Sequence, residues 1–182
     1  MTAVEEMLAF NEKFVSEKRY LPYQTDKYPA KKIAVLTCMD TRLVTLLPAA
    51  LDIQNGDVKM IKNAGAVVTE PYGETLRSLL VGILELGVEE LMVIGHTDCG
   101  AAALSGEKMT AALLARGISR DAIASARECA DFDKWFRGFD SVETSVADTV
   151  SMLRAHPLIP KDVDVHGYVM DAVTGKLTPL SD

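Results

Sequence analysis

Apolar positions along this chain come in two alternating patterns. Short unbroken apolar runs occupy residues 33–37, behind Lys31-Lys32, and 91–95, behind Glu89-Glu90. Strands with interspersed polar residues are read over 58–62, after an Asn55-Gly56 turn, and over 163–173, beside those two runs. Such runs are the mark of strands buried on both faces of a parallel sheet. Between them the spacing becomes helical. Val4, Met7, Leu8, Phe14 and Val15 follow a Thr2-x-x-Glu5 capping box, so residues 2–19 read as an amphipathic helix. Residues 43–51 predict a short helix around Pro48. Residues 74–86 predict one that is apolar over most of its circumference and stops at Gly87. A further helix runs from about Glu107 to Gly117, followed by a less regular helical stretch to Gly138. Val142, Val146, Val150 and Leu153 place the last helix over 141–154, before His156-Pro157. Thr174-Gly175 then turns the chain into a closing segment, 176–180, able to pair antiparallel. Strands alternating with helices predict an α/β fold, a Rossmann-like three-layer sandwich with a mostly parallel central sheet. The breaks at 21–23 and 28–29 set residues 1–30 apart as an N-terminal helical arm of one domain spanning 1–182.

Composition narrows the partners. With 182 residues, 48% hydrophobic and 25% charged, the chain can bury one sizeable core. A net charge of −7 argues against nucleic acid and anionic membranes, which require clustered Lys and Arg. A small neutral or weakly acidic solute suits it better. The N-terminus lacks the basic and apolar regions of a leader, and no run approaches the ~18 apolar residues of a membrane span, so a cytoplasmic location is expected. Three cysteines are an odd number for a disulfide framework. Cys129, in a helix-like stretch, reads as a plain structural thiol, a small hydrophobe of the kind usually buried.

The other two cysteines carry chemistry. Cys38-Met39-Asp40-Thr41-Arg42 begins where one strand ends, and His96-Thr97-Asp98-Cys99 where another ends. Open α/β sheets bind ligands beyond the carboxyl ends of strands, near the point where strand order reverses. Neighbouring strands there would bring Cys38 together with His96 and Cys99. Two thiolates and an imidazole suit one zinc ion, Zn2+, and three protein ligands leave a fourth position for water or substrate. A closed structural site, with Asp40 as permanent fourth ligand, has the same residues available. Likewise, Asp40 with Arg42 is compatible with an ordinary loop salt bridge.

Cys38-x-Asp40-x-Arg42, Asn63-Ala64-Gly65 and His96-Thr97-Asp98-Cys99-Gly100 resemble the signatures of β-class carbonic anhydrases, in the short archaeal and bacterial branch. Arg77-Ser78, residues 156–160 and residues 166–171 extend the likeness over nearly the whole chain. The resemblance implies reversible hydration of CO2 to bicarbonate and a proton by a zinc-bound hydroxide. Cys38, His96 and Cys99 would be the zinc ligands, Asp40 would orient the hydroxide, and Arg42 would pair with Asp40. Asn63, Ala64, Gly65 and Gly100 would border the substrate. In this family Asp40 can instead take the fourth position and shut the site, with Arg42 drawing it away. A homodimer or an assembly of dimers is expected, the arm and the apolar helix over 74–86 being hard to hide on one chain. Two family features are missing. The Gln, Phe and Tyr pocket of the plant-like branch has no counterpart, and the Trp and Arg of a bicarbonate-inhibited site are absent from 33–37 and 58–62. The alternatives are hydrolysis of carbonyl sulfide or carbon disulfide at the same zinc, and a non-catalytic zinc scaffold. His156 and His166 read as structural or surface residues, not proton shuttles.

Overall fold

The computed structural model describes residues 1–181. Its centre is a five-stranded sheet of β1 (Ile33–Cys38), β2 (Val58–Asn63), β3 (Glu90–His96), β4 (Asp164–Met170) and β5 (Leu177–Pro179). The order is β2-β1-β3-β4-β5, with every pairing parallel except β4 with β5. This is the expected α/β architecture. Its helices are α1 (Ala3–Ser16), α2 (Leu43–Ala50), α3 (Glu74–Leu86), α4 (Gly106–Ala115), α5 (Arg120–Cys129), α6 (Phe132–Trp135) and α7 (Val142–Ala155).

The continuous apolar runs are explained by two cores, one on each face of the sheet. On one face Ala34, Leu91, Val93 and Val165 meet Leu76 and Leu79 of α3 and Val146, Val150 and Leu153 of α7. On the other, Val35, Ile94 and Met170 meet Leu43 and Leu47 of α2. Successive strand residues point to opposite faces, so covering both faces makes the middle of β1 and β3 apolar at successive positions. Gly95 on β3 is there for closeness. A Cβ would lie 2.6 Å from Val142 Cγ2 and 2.7 Å from Val146 Cγ2, so glycine lets α7 rest directly on the strand.

Three expectations change. The fourth strand stops at Met170, not 173, because Asp171 Oδ1 accepts bonds from the backbone N–H groups of Val173 and Thr174 and turns the chain early. The irregular stretch before Gly138 is two helices, the second begun by Asp131, whose Oδ1 accepts from the N–H groups of Asp133 and Lys134. Cys129 is exposed, not buried, because α5 turns Ile123 inward instead. The arm helix α1 is capped by Thr2 and Glu5 as its sequence predicts, yet only Phe14 is even half-buried. On α3, Leu76 and Leu79 face the core while Val81 and Leu84 remain exposed. Among the described residues no helix is long and apolar enough to cross a membrane.

Candidate metal centre

Strand order reverses between β1 and β3, because α2 leads outward from β1 to β2 and α3 returns the chain to β3 on the other side. The two strands therefore end side by side at the switch point. Cys38 is the last residue of β1 and His96 the last of β3. Beyond His96, Asp98 adopts φ 54°, a left-handed conformation that Asp tolerates, and the chain doubles back so that Cys99 faces His96. The ligand atoms of Cys38, His96 and Cys99 all lie within 4.8 Å of one another, with the two sulfurs 3.7 Å apart.

Hydrogen bonds brace this end of the sheet. Thr37 Oγ1 donates to Ile94 O at 2.9 Å, tying β1 to β3 just below the cluster. Thr97 N donates to Met170 O, and its Oγ1 accepts from Ala172 N, which anchors the histidine loop to β4. His96 Nδ1 lies 2.9 Å from Thr97 O, which fixes the proton on Nδ1 and leaves a lone pair on Nε2. Nε2 is buried and has no hydrogen-bond partner. A buried, unsatisfied acceptor is costly, and two thiols beside it supply soft ligands, so the donor set fits a zinc-like ion. Burial, reinforced by Cys38, pushes the Cys99 thiol up to about 11, a state only a cation would reverse at neutral pH.

Asp40 sits at the edge of the cluster, its Oδ2 3.9 Å from His96 Nε2. Arg42 grips it. Oδ1 accepts from Arg42 N at 2.9 Å and Nε at 3.0 Å, while Oδ2 accepts from Nη2 at 2.9 Å. These bonds hold the Asp40 carboxyl well below the usual carboxylate range, and they raise the Arg42 guanidinium in turn. Arg42 also spans to the second loop, donating from Nη1 to Asp98 Oδ2 at 3.0 Å and from Nη2 to Asp98 O at 2.8 Å. One guanidinium therefore links both ligand loops.

The remaining expected residues divide. Gly65, at φ 93°, donates its N–H to Cys38 Sγ at 3.4 Å. Asn63 spends its amide on the chain, giving Nδ2 to Val67 O and Thr75 Oγ1 and taking Val67 N on Oδ1. Ala64 lines a neighbouring pocket, and Gly100 opens a short 3-10 turn with open space around its Cα. His156 is a buried brace: Leu158 N donates to Nδ1, so Nε2 carries the proton given to Pro71 O. His166 lies at the surface, 3.8 Å from Glu90. Two contacts had no local signal: the Asp98 carboxylate on Arg42, and the Phe139 ring against Gly65.

Known proteins share this arrangement. The Carbonic anhydrase family model matches residues 33–177, from the start of β1 to the start of β5. YtiB of Bacillus subtilis (strain 168) is 50% identical over 178 residues, covering 97% of this chain and 95% of that protein. Carbon disulfide hydrolase of Acidianus sp. (strain A1-3) is 33% identical over 162 residues, 81% of this chain and 76% of that one. The crystal structure of β-carbonic anhydrase isoform I from Trichomonas vaginalis superposes with a TM-score of 0.90 at 33% identity, covering 98% and 97% of the two chains. With the family model spanning most of its length and close relatives along nearly all of it, the chain belongs to the β-carbonic anhydrase family.

Proposed function

We propose that Cys38, His96 and Cys99 hold one zinc ion and that the chain catalyses reversible hydration of CO2 to bicarbonate and a proton. The observation that carries this reading is the buried, unbonded His96 Nε2 facing two thiols at the strand switch point. Zinc bound there supplies a Lewis acid that brings water's ionisation toward neutral pH. The chain's own residues do the positioning. Asp40 Oδ1 already accepts two bonds and Oδ2 one, so its spare acceptor capacity is on Oδ2, the atom nearer His96. From there Asp40 accepts the nucleophile's hydrogen and aims its lone pair at the CO2 carbon. Arg42 keeps Asp40 ionised and outside the ligand cluster, which supports an open, catalytic site over a closed scaffold. Gly65 N–H steadies the Cys38 sulfur. The exposed apolar residues of α1 and α3 support a homodimer or an assembly of dimers.

A second reading, hydrolysis of carbonyl sulfide or carbon disulfide, draws on the likeness to carbon disulfide hydrolase of Acidianus sp. and needs the same activated water. The test is turnover of CO2, carbonyl sulfide and carbon disulfide by protein of measured zinc content. CO2 hydration is expected to dominate. Turnover of the sulfur substrates alone would install the second reading, and no turnover of any of the three would leave the scaffold.

A further inference from the structure

Arg42 makes more contacts than holding Asp40 requires. Its Nε and Nη2 donate to the two oxygens of the Asp40 carboxylate, while Nη1 donates to Asp98 Oδ2 at 3.0 Å and Nη2 also donates to Asp98 O at 2.8 Å. The two sets do different things. Asp40 and Arg42 both belong to the short link between β1 and α2, so their mutual grip fixes Asp40 only relative to its own loop. Asp98 lies on the other loop, between His96 and Cys99. Its contacts tie the guanidinium to the side of the cluster that those two residues occupy. A planar fork held at one point can swivel, whereas one held at two keeps its plane.

The residue at position 98 meets two demands. With φ 54° it sits in the left-handed region, which among side-chain-bearing residues Asn and Asp enter most readily. Of those two, only Asp brings a charge to the guanidinium. Folding stability is not what the carboxylate supplies, because its side chain is 89% exposed and so open an ion pair adds little. Asp40 is more enclosed, and its Oδ2 lies 3.9 Å from His96 Nε2. Nη2 donates both to that oxygen and to Asp98 O, so a small turn of the guanidinium passes directly to the Asp40 carboxylate.

We propose that Asp98 is a positioning residue for CO2 hydration that acts through Arg42. It pins the guanidinium across the two loops, so that Asp40 keeps a set place beside the cluster and stays out of it. The proposal rests on the catalytic reading above and adds a third member to the pair of Asp40 and Arg42.

The test uses Asp98→Gly, which removes the carboxylate from a backbone conformation that glycine adopts freely, and Asp98→Asn, which keeps the turn and a neutral acceptor. Per bound zinc, kcat for CO2 should fall about fivefold in Asp98→Gly and about twofold in Asp98→Asn, with KM kept. NMR relaxation of the Arg42 Nε–H in metal-free protein should show a lower order parameter in both variants. In an Asp40→Asn background, adding Asp98→Gly should cost less than about twofold, because the carboxylate being positioned is gone. Wild-type kcat in both single variants, or an unchanged Arg42 order parameter, overturns the proposal. An equal loss with and without the Asp40 carboxylate overturns it too, since that marks a structural role alone. A zinc-replete wild type without CO2 turnover defeats the catalytic reading itself, whatever the Arg42 order parameter shows.

Discussion

Cys99 shows how much the metal must do. Burial holds its thiol at about 11 in the metal-free chain, so at neutral pH a proton and the cation compete for one sulfur lone pair. Zinc loading near neutral pH is expected to release about two protons, one per thiol, readable by calorimetry in buffers of different ionisation enthalpy. The folded pKa is raised above the ordinary 9.0, so metal-free stability is intact below that value and falls as pH rises toward about 11. Thermal unfolding of metal-free protein over that range should show the decline, and zinc should abolish it. Asp40 has the opposite sign. Arg42 depresses its pKa, so its contribution is present above the ordinary 3.8 and is lost as pH falls below it. Across neutral pH Asp40 therefore stays charged, and a rise of activity there reports the ionisation of water. Arg42→Ala is expected to keep zinc yet lose about 100-fold in kcat, since Asp40 then swings free. Zinc absorption-edge spectra should show a fourth protein ligand in that variant. Asp40→Asn should be impaired without that closure.

At the scale of elements, the site depends on two strands ending level, which in turn depends on how α7 packs. Gly95 has no room for a methyl group against Val142 and Val146. Gly95→Ala should destabilise by about 1–3 kcal/mol in urea unfolding, and weaken zinc retention because β3 carries His96 at its next position. β1 and β3 and their ends were legible in the sequence because burial on both faces leaves unbroken apolar runs, and Cys38 and His96 fall at those ends, whereas the end of β4 was set by the Asp171 turn. What escaped was set by tertiary contact. Nothing around Phe139 marks it as a neighbour of Gly65, and the two meet only after α4, α5 and α6 have folded back. Asp98 was visible beside Cys99, but its partner Arg42 lies on the other loop. The amide of Asn63 bonds to Val67 and Thr75, a use that residue type alone does not reveal.

On the scale of the whole molecule, a chain of net charge −7 carries apolar residues in the open, Val4, Met7, Leu8 and Phe10 on α1 with Val81 and Leu84 on α3. Apolar surface of this extent on a small chain marks a protein interface, so light scattering at micromolar concentration should find a dimer or larger assembly. A stable, active monomer would refute that expectation. The account as a whole stands on the cluster of Cys38, His96 and Cys99 being a zinc site that hydrates CO2. Its most direct test is stopped-flow CO2 hydration during titration of metal-free protein with zinc. Activity should rise in proportion to added zinc, stop rising at one zinc per chain, and be lost in Cys99→Ala. Full zinc occupancy at that cluster without CO2 hydration, or hydration undiminished in Cys99→Ala, would contradict the account.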